Sequence, residues 1–173
     1  MVKDKDMKVR ATAVHLLGKV VQGKDMTLVV ALLNDKDVRV RANTIEALED
    51  IKNPAAVGLI QRFRKDPSNR IRGNALKALW NLGYKEIMDD LKNMLASEQG
   101  LLRASGAWVI GEVGKDNREM VDLLASCAQD EDKLVRENVI KAQLKIGGSI
   151  AEKYLKFLCD EEEVESAKQK LKR

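Results

Sequence analysis

Five arginines set the frame of this chain: Arg10, Arg41, Arg72, Arg103 and Arg136. They are separated by 31, 31, 31 and 33 residues, and the columns around them repeat as well. The residue before each is apolar: Val9, Val40, Ile71, Leu102 and Val135. Four positions on stand Val14, Ile45, Leu76, Ala107 and Ile140. Seven positions on stand Leu17, Leu48, Leu79 and Ile110, with Gln143 as the exception. Ten positions on stand Val20, Ile51, Leu82, Val113 and Ile146. Offsets of −1, +4, +7 and +10 trace one face of an α-helix. Each unit therefore predicts an apolar-faced helix of about four turns.

The ends of these helices are marked. Asp6, Asp37, Ser68, Gln99 and Asp132 lie four residues before the arginines, and Asp and Ser there suit an N-cap. The spacing predicts that this second helix of each unit, helix B, starts near 6, 37, 68, 99 and 132. Gly23, Asn53-Pro54, Gly83, Gly114 and Gly147-Gly148 mark where each should stop. Shorter apolar segments near 24–33, 54–65, 85–96, 117–129 and 150–159 predict a helix A before each later helix B. Residues 161–172 read as a last, weaker helix B. A 31-residue hairpin cannot bury its own apolar face, so stacked neighbours must bury it. The expected fold is all-α. It is a right-handed α-solenoid of about five to six helical hairpins, read as one domain over residues 1–173.

Charge and cysteine usage narrow the function classes. Aromatics make up 3% of the chain and charged residues 34%, which favours helices packed through Leu, Ile, Val and Ala. No apolar run reaches the roughly 18 residues that a bilayer requires, so no membrane association is expected. The opening residues carry no apolar signal core, and a cytoplasmic protein is expected. Cys127 and Cys159 read as buried thiols without a metal partner at ligand spacing. Catalysis has no support: there is no phosphate-binding glycine loop, no nucleophile beside a histidine and no metal cluster, so neither an enzyme nor a cofactor is expected.

The motif Asp-x-Asp-x-x-Val-Arg-x-x-Ala, followed by a Leu-Gly-x-Ile-like end, carries a family resemblance. It appears as Asp4–Ala13 with Leu17-Gly-Lys-Val20, again as Asp35–Ala42, as Asp130–Arg136, and in Val109-Ile-Gly-Glu-Val-Gly114. These residues resemble HEAT repeats of the short type found in phycobilisome-lyase-like proteins. The resemblance implies a scaffold for protein partners. It also implies that the aspartates and arginines form a structural ladder between repeats: Asp4, Arg10, Asp35, Arg41, Asp66, Arg72, Arg103, Asp130 and Arg136. Some members are enzymes. The iron-dependent hydroxylase among them carries repeated His-Glu ligand pairs, whereas this chain has the single histidine His15, followed by Leu16. A bilin-lyase-like subunit is an alternative without a distinguishing residue here.

In the fourth unit the acidic positions are Ser97 and Gln99, which leaves Arg103 without its expected partners and predicts a looser seam there. The columns at +2, +5 and +9 lie off the core face. In a stacked array they should line the concave groove. Asn43, Glu46, Asn74, Lys77, Ser105, Trp108, Asn138 and Lys141 from these columns, with Trp80 at +8, are the candidate contacts for a protein or peptide. Trp108 stands where other units hold charged residues or histidine, and tryptophan is frequent at binding hot spots.

Residues 52–85 hold eight Lys or Arg against one Asp, and residues 86–132 hold eleven acids against four bases. Such polarity suits a bipolar partner or self-association of copies. A nucleic-acid or other polyanion contact at Arg62, Arg64, Lys65 and Arg70 is the alternative, although base-stacking aromatics are not interleaved there.

Overall fold

The computed structural model describes residues 1–21 and 26–171. Gly23 and the first two residues of the expected 24–33 segment lie outside the described residues, as does Lys172. Among the described residues there are eleven α-helices and no strand. The chain divides into two compact units, Met1–Glu86 and Ile87–Arg173.

In the first unit, α1 (Met7–Val20), α3 (Val38–Ile51) and α5 (Asn69–Asn81) pack side by side. Behind them lie α2 (Thr27–Val30), continued by a 3-10 turn over Ala31–Asn34, and α4 (Ala56–Ile60), continued over Gln61–Lys65. In the second unit, α7 (Gly100–Val113), α9 (Lys133–Ile146) and α11 (Glu161–Leu171) form one layer. Helices α6 (Met88–Leu95), α8 (Arg118–Ala125) and α10 (Gly148–Leu158) form the other.

Local chemistry accounts for the starts. The carboxylates of Asp6, Asp37 and Asp132 accept the backbone N–H two residues on, and Ser68 Oγ accepts from Ile71 N–H. Gln99 makes no such cap. The turn before each cap repeats in all five units. Asp4, Asp35, Asp66, Ser97 and Asp130 each accept the N–H of the residue two positions later through a side-chain oxygen, at 2.8–3.1 Å. Serine thus reproduces in the fourth unit the turn that aspartate makes elsewhere.

The apolar columns form the core. Val14, Ile45, Leu76, Ala107 and Ile140 are all buried, as are Leu48, Leu79 and Ile110. Gln143 is equally buried, at 1% exposure, although it replaces a Leu or Ile. Val20 departs from expectation. It is 75% exposed, because it is the last residue of the outermost helix of its unit and no described residue covers that turn. Cys127 and Cys159 are half-buried free thiols rather than buried ones. Burial is still enough to push both thiols up from their ordinary pKa.

Helix spacing is set by small residues. A Cβ on Gly18 would stand 2.7 Å from Ala47 Cα, and one on Gly111 would stand 2.8 Å from Ala142 Cα. Glycine at +8 meeting alanine in the next repeat lets α1 approach α3, and α7 approach α9, backbone to backbone. Between α3 and α5 the same position holds Glu49, whose Oε1 accepts from Asn81 Nδ2 at 2.7 Å.

Candidate functional site

The ladder residues account for most of the regular polar chemistry. Every column arginine grips its own turn. Arg10, Arg41, Arg103 and Arg136 donate through Nη1 to the carbonyl six residues earlier at 2.7–2.8 Å, and Arg72 does so through Nε at 3.1 Å. Three of them also reach forward into the next repeat. Arg10 makes a two-pronged bond to Asp35 at 2.7 and 2.9 Å, Arg103 to Asp130 at 2.8 and 2.8 Å, and Arg136 binds Glu163 at 2.8 Å.

The expectation that Arg103 lacks partners is therefore corrected. Its acid lies 27 residues ahead rather than six behind, and the backbone carbonyls of Ser97 and Glu98 hold it from its own turn. The Asp35 and Asp130 carboxyls are held below the ordinary carboxylate range, first by the guanidinium hydrogen bond and against the opposing effect of burial. Asp4 and Asp66 serve as turn formers, through their carboxylates and carbonyls.

The off-core stripe is arranged differently in the two units. In the first unit, Asn74 is only 4% exposed, and its amide donates to Ala42 O and to Glu46 Oε1. Its expected role as a surface contact is corrected: its position on the helix face is as read, but α3 lies over it. Asn43 donates to Ala11 O and accepts from Arg70, and Lys77 pairs with Glu49 at 3.2 Å. The half-buried Trp80 lies under Lys85, whose Nζ sits 4.1 Å from the ring centre.

In the second unit, Trp108, Asn138 and Lys141 converge. With Gly111, Glu112, Ala142, Lys145 and Leu171 they line a hollow of about 210 Å³ formed by α7, α9 and α11. Trp108, Asn138 and Lys141 are half-buried, as is Ser105 on the same face of α7. The polar lining is paired: Lys145 Nζ binds Glu112 at 2.6 Å, Lys141 binds Glu137 of its own helix at 3.6 Å, and the Asn138 amide donates to Leu134 O at 2.8 Å. Sequence columns singled out Trp108, Asn138 and Lys141 but missed Leu171, which enters from a helix without the arginine motif.

The arginine-rich segment is partly self-satisfied. Arg62 donates to Asn34 at 3.2 Å and stacks on Phe63, whereas Arg64 donates to Tyr84 Oη at 2.9 Å and to Glu86 O. Lys65 and Arg70 are exposed. Among the described residues no group of three His, Cys, Asp or Glu side chains is placed to hold a metal ion, and no helix is long and apolar enough to cross a membrane.

The family model of HEAT repeats matches residues 1–57 and 89–171. The chain belongs to the HEAT-repeat family. No curated protein sequence matches it. Among solved structures, this HEAT-repeat chain resembles YibA of Escherichia coli, with a TM-score of 0.56 at 22% identity over 99% of this chain and 78% of that one. A designed armadillo repeat protein in complex with the peptide (KR)4 has a TM-score of 0.51 at 14% identity, over 99% and 95% of the two chains. An engineered protein has a TM-score of 0.50 at 15% identity, over 97% and 90%. At these identities the likeness is one of fold.

Proposed function

We propose that this HEAT-repeat protein is a non-enzymatic scaffold that binds a protein or peptide on the exposed face of its helix B layer, with the hollow at Trp108 as the anchor point. The convergence of Trp108, Asn138 and Lys141 around that hollow carries the reading. A half-buried indole beside an amide and an ammonium offers apolar area, hydrogen bonds and charge within one small concavity, as binding hot spots do. A designed armadillo repeat protein of similar fold is in complex with the peptide (KR)4, which supports a peptide-binding role for a repeat array of this kind. The segment around Arg62 and Arg64 is less favoured as the main site, because both guanidinium groups are turned onto the unit's own groups.

Selection of a random peptide library on the wild-type protein tests this. Enriched peptides should bind the wild type and lose at least about tenfold affinity for Trp108→Ala, the effect of an anchor residue worth more than about 1.4 kcal/mol. Enriched peptides that bind both proteins equally would overturn the assignment.

A further inference from the structure

The turns that lead into α1, α3 and α5 form a basic edge. Counting the eight residues that end at each column arginine, residues 3–10, 34–41 and 65–72 hold ten Lys or Arg against five Asp. The matching stretches of the second unit, 96–103 and 129–136, hold three Lys or Arg against four acids. The difference lies in two columns. Two residues before the arginine stand Lys8, Arg39 and Arg70 in the first unit, then Leu101 and Leu134 in the second. Five residues before it stand Lys5, Lys36 and Pro67, then Glu98 and Glu131.

Lys5, Lys8, Lys36, Arg39, Lys65 and Arg70 are all exposed. The five aspartates of the edge are occupied by N–H groups of the turns and caps, and Asp35 also by Arg10. Arg39 touches Asp37 and Arg70 touches Asn43, each with part of its guanidinium, which leaves further donors pointing outward. Lys8, Arg39 and Arg70 are second residues of their helices, where the helix dipole disfavours a cation. Helix stability therefore does not explain this column.

We propose that this edge is a second docking surface, for an acidic peptide segment in extended conformation. Neighbouring packed helices lie about 8–10 Å apart, which sets the spacing of Lys8, Arg39 and Arg70. A chain extended as polyproline II has about three residues per turn and advances about 3.1 Å per residue, so carboxylates three residues apart share one face and match that spacing. The helix N-termini beneath add N–H dipoles of the same sign. A nucleic acid fits less well, because the edge offers no aromatic side chain for base stacking. The surface is separate from the Trp108 hollow and does not rest on it.

Fluorescence anisotropy with a labelled peptide carrying Glu at every third position tests the proposal. The peptide should bind, and its affinity should fall at least about tenfold between 50 and 300 mM salt, as exposed charge contacts are screened. The variant Lys8→Glu/Arg39→Glu/Arg70→Glu should lose at least about tenfold affinity while its thermal midpoint does not fall, since acids suit the first turn. The glutamine triple variant, which keeps the fold without reversing charge, should lose binding in the same direction. Lys133→Glu and Trp108→Ala should bind as the wild type does. Absence of binding, an unaffected triple variant, or tighter binding of an oligothymidylate of equal charge would each overturn the proposal.

Discussion

Arg103 and Asp130 meet through two parallel hydrogen bonds of 2.8 Å across the seam between α7 and the turn before α9. The pair is about one-tenth exposed on each side. Arg10 and Asp35 repeat the relation in the first unit. Both carboxyls are held below the ordinary range, so the unfolded chain takes up protons more readily than the folded one. The stability they contribute is present above the unfolded pKa of about 3.9 and is lost as pH falls through the lower folded values. Asp130→Asn should lower the thermal midpoint at pH 7 by several degrees, and the gap to wild type should shrink below about pH 4. Unfolding followed by circular dichroism at several pH values checks this.

Gln143 should be replaceable with gain. Its side chain sits in the core, and neither amide atom has a hydrogen-bond partner among the described residues. Three of the other four units hold leucine in that column and the fourth holds isoleucine. Gln143→Leu removes two desolvated polar atoms and should stabilise the protein by about 1–2 kcal/mol. A denaturant midpoint that falls would refute this account of the site.

Helix approach should be intolerant of one methyl group. Gly111→Ala places a Cβ against the backbone of Ala142, and Gly18→Ala does so against Ala47. Each should destabilise by about 1–3 kcal/mol. Gly58→Ala is the control: it lies in α4 with nothing within 4 Å of the added methyl. That change should be neutral or stabilise by up to about 1 kcal/mol. Urea titration of the three variants would separate close packing from helix propensity.

Trp108→Ala should leave the fold largely intact. The residue is half-buried, so the loss should fall well short of the roughly 3–5 kcal/mol of a fully buried tryptophan. A loss in that upper range, measured by chemical denaturation, would make Trp108 a core residue rather than a contact.

Helical period and cap chemistry are properties of single segments. That is why the starts of α3, α5, α7 and α9, and the burial of Val14, Ile45, Leu76 and Ile140, could be read from residue order. The direction of the arginine ladder could not be read in that way. Both the aspartate six residues back and the one 25 or 27 residues ahead are consistent with the spacing, and only packing decides between them. Asn74 shows a second limit. Its column gives an angle on the helix, but the Asn74 amide is buried against Ala42 O and Glu46 of α3, whereas Asn138, in the same column, turns back to Leu134 O of its own helix and remains half-buried. Leu171 was invisible for a different reason: α11 lacks the motif on which the columns were aligned.

The doubled grip of the column arginine has a consequence for how such chains change length. One side of the guanidinium holds its own turn through backbone carbonyls, which any amino acid supplies, and the other reaches an acid one period ahead. The Arg10–Asp35 and Arg103–Asp130 junctions are thus written in the same two residues. Duplicating one whole period at such a junction rejoins an arginine to an aspartate that already fits it, so copy number can drift by unequal crossing-over without a new interface having to be invented. The pair also tolerates a small change of period: the interval after Arg103 is 33 residues rather than 31, and Arg103 still holds Ser97 O and reaches Asp130 27 residues ahead, where Asp35 lies 25 ahead of Arg10.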